Sequence, residues 1–144
     1  MSLLYSIDEI KPPTPARSAA RILVADADAR AGAVLVEMLA ALGFEATWCG
    51  TAGEALSHCQ RHMPDGVLSE LELATPEGTP LVKALRRAHP RLAVGVLTGW
   101  LTPPIGSARL LGDLPVVALK PLSLAELGPL AHALVSGGRA RSTR

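Results

Sequence analysis

Ile22-Leu23-Val24-Ala25-Asp26 is an apolar run closed by an acid, and its reading decides the fold. A continuous apolar run of this length suits a strand covered on both faces, because a half-exposed strand alternates polar and apolar residues. Val67-Leu68-Ser69-Glu70 repeats the pattern, a short apolar stretch ending in an acid. Leu92 to Leu97 leads into Thr98, and Val116 to Leu119 leads into Lys120-Pro121. Four strands thus deliver an acid, an acid, a hydroxyl and an ammonium to one edge of a sheet.

The segments between these runs read as helices, with one further strand. Val34, Leu35, Met38, Leu39 and Leu42 recur at helical spacing, and Gly43 is placed to stop that helix. Phe44 to Trp48 reads as a short second strand. Thr51-Ala52-Gly53-Glu54 and Ser123-Leu124-Ala125-Glu126 have capping-box spacing. The first opens a helix ending before Pro64, and the second opens a last helix to about Val135. After a loop through Pro76 and Gly78, Thr79-Pro80 reads as an N-cap followed by proline at the first helical position, with the helix running to about Ala88. Gly99-Trp100-Leu101-Thr102-Pro103-Pro104-Ile105-Gly106 is poor helix material. A fourth helix is therefore irregular, with one or two turns over Ser107 to Leu111. Strands alternating with helices imply right-handed crossovers and a parallel sheet with helices on both faces.

The chain has 144 residues, of which 49% are apolar, so it suits one domain with one core and is not disordered in bulk. A formal charge of +1 gives no electrostatic case for nucleic acid or membrane as a partner. Residues 1–20, with Lys11-Pro12-Pro13-Thr14-Pro15, read as a partly disordered extension, residues 21–136 as the domain, and residues 137–144 as a basic flexible tail. No basic region followed by an apolar core marks a signal peptide. The uncharged stretch from Leu92 to Ala108 is too short and too broken to span a bilayer. Cys49 and Cys59 form no metal or disulfide framework and read as free thiols in a reducing cytoplasm.

Asp26, Glu70, Thr98 and Lys120-Pro121 at these intervals resemble the receiver domain of two-component response regulators, over about Arg21 to Val135. The resemblance implies a flavodoxin-like three-layer αβα sandwich with a five-stranded parallel sheet in the order 2-1-3-4-5. In receivers, an acidic pair binds Mg²⁺, an Asp accepts phosphate from a histidine kinase, and a Thr or Ser and a Lys hold the phosphate oxygens. Carried over, Asp26 matches the first acid, Glu70 the phospho-acceptor, Thr98 the hydroxyl and Lys120 the ammonium. Glu72 falls where receivers offer a main-chain carbonyl to the metal, and Gly78 matches a loop glycine.

The departures bear on chemistry. Ala27 stands where the second acid should be, with Asp28 one position later, and Asp28 is the expected N-cap of the first helix. Glu70 replaces the family's Asp, so its carboxylate reaches ~1.5 Å further, one carbon–carbon bond. Misplacement by about 1 Å can cost around a hundredfold in rate. Magnesium demands near-ideal octahedral oxygen geometry, so the expected cofactor is none, or weakly held Mg²⁺. Val117 replaces an aromatic that reports the switch in receivers. Two readings of Glu70 stay open: a structural ion pair with Lys120, or a fixed charge that partly imitates a phosphoryl group.

The favoured function is a pseudo-receiver, a non-enzymatic protein-interaction or regulatory module of a phosphorelay. Its partners are then a histidine kinase or phosphorelay protein, an output protein, or a second copy in a homodimer. The competing reading is a working Mg²⁺-dependent receiver that accepts phosphate and autodephosphorylates. A nucleotide- or flavin-binding protein lacks support, since Asp26-Ala27-Asp28-Ala29-Arg30 has no glycine-rich cradle. Trp100, beside Thr98-Gly99, would shield the pocket, anchor a partner or pack in the core. His58 and His62, four apart, read as a solvated helix face, with no third metal ligand evident.

Overall fold

The computed structural model describes residues 19–98, 116–119 and 123–142. Expectations for the first 18 residues, for Gly99 and Trp100, for the irregular fourth helix and for Lys120-Pro121 lie outside them, as does the side chain of Val117. Strands β1 (Arg21–Ala25), β2 (Glu45–Cys49), β3 (Gly66–Glu70), β4 (Ala93–Thr98) and β5 (Val116–Leu119) form one parallel sheet. Their order is β2-β1-β3-β4-β5. The described helices are α1 (Ala29–Ala41), α2 (Ala52–Arg61), α3 (Leu81–Ala88) and α4 (Leu124–Ser142). This is the flavodoxin-like sandwich that the alternating pattern and the resemblance imply.

Alternate residues of each strand feed two cores. Ile22 and Val24 join Leu35 and Leu39 of α1 and Leu127, Ala131 and Leu134 of α4 on one face. Leu23 and Ala25 join Ala55 and Cys59 of α2 and Leu81 and Leu85 of α3 on the other. That two-sided burial is why β1 carries no polar residue between Ile22 and Ala25. At Gly66 on β3 a Cβ would lie 2.7 Å from Leu134 Cγ, so only glycine lets α4 seat this closely on the sheet.

Local signals account for most boundaries. Gly43 adopts φ +92°, and the Gly43 and Phe44 N–H groups donate to Ala40 and Leu39 carbonyls, closing α1 with a Schellman motif. Ser123 and Glu126 form a reciprocal capping box on α4, with Glu126 N–H donating to Ser123 Oγ at 3.2 Å and Ser123 N–H to Glu126 Oε1 at 3.2 Å. At α2, Thr51 Oγ1 accepts from Glu54 N–H, but Glu54 reaches back to Gly50 N–H rather than to Thr51.

Two expectations are corrected. The third helix starts at Leu81 with Pro80, not Thr79, at the cap and without a side-chain cap bond. Thr79 is held instead by Thr75, whose Oγ1 accepts from Thr79 N–H while Thr75 N–H donates to Thr79 O, and Ala74 bridges Pro80. This closes the 74–80 loop and keeps Pro80 extended, at ψ 136°. The last helix does not stop near Val135 but continues through Gly137-Gly138 to Ser142. Glycine lowers helix propensity by about 1 kcal/mol without forbidding helical dihedrals, so a Gly pair alone is a poor stop signal. Among the described residues, no helix is long and apolar enough to cross a membrane.

Candidate functional site

Strand register brings the candidate residues to the carboxyl edge. Ala25 pairs with Ser69 of β3 and Cys49 of β2, so Asp26 and Glu70 follow residues at one level on neighbouring strands. Glu70 pairs with Leu97, which places Thr98 one residue further along β4, and Thr98 pairs with Leu119. Because chain order reverses between β1 and β3, helices leave in opposite directions there and open a crevice outside the strand ends. Asp26 and Glu70 flank that crevice.

Asp26 is buried, at 2% exposure, and tightly held. Its N–H donates to Cys49 O at 3.1 Å, its Oδ1 accepts from Asp28 N–H at 2.9 Å, and its carbonyl accepts from Trp48 Nε1 at 2.8 Å. Asp28 is exposed and caps α1, its Oδ1 accepting from Arg30 N–H at 2.9 Å and Ala31 N–H at 3.4 Å. That carboxylate is therefore committed to the helix terminus, as the cap reading expects, and does not replace the acid missing at Ala27. Glu70 is half-buried at the end of β3, and its carbonyl accepts from Ser69 Oγ at 3.0 Å and from Leu73 N–H at 3.3 Å. Thr98 is buried, whereas Glu72 is exposed in the turn after β3. Gly78 takes φ +88°, and its N–H donates to Thr75 O, so its place in the loop needs a residue without a Cβ.

The Mg²⁺ that the fold implies would draw on Asp26, Glu70 and the Glu72 main chain. Ala27 offers no side-chain oxygen, and Asp26 Oδ1 already accepts a hydrogen bond. Among the described residues, no three His, Cys, Asp or Glu side chains form a group that could hold a metal. With Ala27 in place of an acid, this donor set is one side-chain carboxylate short of the receiver pattern.

Sequence reasoning missed Trp48. It lies on edge strand β2, 38% exposed, with its indole against Gly32 of α1 and Gly50 after the strand. A Cβ at Gly50 would come within 2.9 Å of the ring, and one at Gly32 would overlap it. Two glycines far apart in sequence thus make the slot, a pairing visible only after folding. Ser69, fully buried beside Glu70, was passed over as part of an apolar run.

No protein-family model matches the chain, and no curated protein matches it by sequence. Its architecture is that of response-regulator receiver domains. The signal receiver domain of an HD domain-containing protein from Pseudomonas fluorescens Pf-5 matches with a TM-score of 0.76 at 21% identity, over 90% of this chain and 96% of that one. A CheY-like receiver domain protein from Methanospirillum hungatei JF-1 matches at 0.73 and 22%, over 85% and 98%. NtrX from Brucella abortus, solved with ATP, matches at 0.74 and 20% over 87% of this chain, which spans 28% of NtrX. At these identities the likeness is one of fold.

Proposed function

We propose that this chain is a pseudo-receiver, a cytoplasmic regulatory module of a two-component phosphorelay that acts by binding protein partners rather than by turnover. The observation that carries the reading is the makeup of the crevice between β1 and β3. Glu70 flanks it in the acceptor position, Asp26 is buried opposite, Ala27 replaces an acid, and Asp28 is engaged in capping α1. An acid with one methylene too many cannot present its oxygen for in-line attack where an Asp would, and one donor fewer weakens magnesium. Partners of this kind are a histidine kinase or phosphorelay protein and an output protein. The receiver of an HD domain-containing protein shares the fold, which supports an output domain as one of them.

Incubation with acetyl phosphate and Mg²⁺, read by intact mass, tests this. The expected result is an unmodified chain. A phosphoryl adduct that disappears in Glu70→Gln would instead identify a working receiver.

A further inference from the structure

The stretch between Glu77 and Asp113 contains no acidic residue, although the chain as a whole carries a formal charge of only +1. Lys83, Arg86, Arg87 and Arg91 fall within it, on α3 or just beyond its end, and all are exposed. Lys83, Arg86 and Arg87 stand three and four residues apart on one helix face, while Leu81, Val82 and Leu85 bury the other. Attraction to the carboxyl end of the helix dipole accounts for Arg86 and Arg87 in the last turn. It does not account for Lys83, in the first turn where a cation is disfavoured, or for Arg91 past the helix. Among the described residues, no carboxylate forms an ion pair with any of the four.

The carboxyl end of α3 opens onto a cleft of about 450 Å³. Met63, Pro64, Ala88, Pro90 and Leu92 give it a mainly apolar lining, and Met63 stays 42% exposed there. Asp65 is the acid in that lining, and its Oδ2 already accepts from Arg21 N–H at 2.7 Å. Arg91 belongs to both features, so the cationic strip and the cleft form one continuous surface. We propose that this surface docks an acidic peptide segment of a protein partner, with carboxylates along α3 and an apolar side chain in the cleft.

Charge complementarity selects an acidic occupant, and the cleft selects a peptide among acidic occupants. A nucleic acid or a lipid headgroup would meet the cations and leave the apolar lining unused. A small ligand would fill the cleft without reaching Lys83. Between Lys83 and Ala88 the helix rises roughly 7–8 Å, at about 1.5 Å per residue. Two or three extended residues cover that distance at about 3.3 Å each, so one short segment reaches both features. The unbranched Met63 side chain can reshape itself around an apolar anchor. Met63 to Asp65 precede β3 and Pro90 to Leu92 precede β4, whereas Glu70 and Thr98 close those strands at their other ends. The surface is thus separate from the receiver crevice and does not rest on the pseudo-receiver reading.

Fluorescence anisotropy of the full chain with a fluorescein-labelled, amidated peptide of alternating aspartate pairs and leucines tests the proposal. Saturable binding is expected, weakening as NaCl rises from about 50 to about 300 mM. Lys83→Glu combined with Arg87→Glu should weaken it roughly tenfold or more, with circular dichroism unchanged. Met63→Ser, or serine for leucine in the peptide, should weaken it severalfold. Asp26→Asn combined with Glu70→Gln should leave it intact. The proposal is overturned by any of four results: no saturable binding, equal binding after charge reversal, equal binding of the leucine-free peptide, or tighter binding of polyuridylate or phosphatidylserine vesicles than of the peptide.

Discussion

The indole N–H of Trp48 donates to the main-chain carbonyl of Asp26 at 2.8 Å, tying edge strand β2 to the loop that carries the first acid of the crevice. The ring fills the space left by Gly32 in α1 and crosses Gly50 after β2. One side chain therefore sets the spacing between helix, edge strand and site loop.

Gly32→Ala should evict that ring and destabilise the fold by about 1–3 kcal/mol, the usual cost of overpacking. Trp48→Phe keeps most of the apolar contact but loses the hydrogen bond, costing about 1 kcal/mol. Denaturant melts of both variants and of Gly32→Ala/Trp48→Leu check this. The smaller side chain should restore part of the loss, since contacting residues are not additive.

Asp28→Ala removes the α1 cap, and urea titration should show about 1 kcal/mol lost. Asp28→Asn, which retains an acceptor, should recover most of it. Were Asp28 mainly a metal ligand, its removal would alter Mg²⁺ response and leave stability nearly unchanged.

Restoring the missing features should restore chemistry. Ala27→Asp with Glu70→Asp supplies the second acid and shortens the acceptor. Mg²⁺ affinity should rise by roughly tenfold or more as the donor set fills. Acetyl phosphate should then add a phosphoryl group visible by intact mass. Neither substitution alone should match the pair, because metal and nucleophile act together.

Cys59 is buried in the α2–α3 face, where burial first and Cys49 second push its thiol up from 9.0 to about 11. Burial also raises Cys49, with Glu54 adding to the shift and Arg61 opposing it. The unfolded chain releases these protons earlier than the native one, so stability is fully present below pH 9 and falls as pH rises from 9 towards 11. Chemical melts between pH 8 and about 11 should show that decline, and Cys59→Ala should flatten it. Native thiols should also react with iodoacetamide far more slowly than unfolded ones, since the thiolate is the nucleophile.

The order of elements and the positions of Asp26, Glu70 and Thr98 at strand ends were legible in the sequence. Apolar runs on buried strands and glycine and serine caps act through neighbouring residues, and such signals survive in a one-dimensional chain. The Asp28 cap was legible for the same reason, as was the Gly43 stop. Reading the end of α4 at Val135 failed because glycine weakens a helix without ending it, and Thr79 was taken from its cap by Thr75 across a loop.

Only tertiary structure decided what Trp48 does. Trp48 on its strand looks like any edge aromatic, and nothing local tells Gly32 that an indole will fill the place of its missing methyl. Helical spacing put His58 and His62 on one face, and the packing of α2 against β1 and β2 left His58 half-buried and His62 exposed. Contacts between distant segments depend on how layers stack, and that information is shared by the whole chain rather than held in any one stretch.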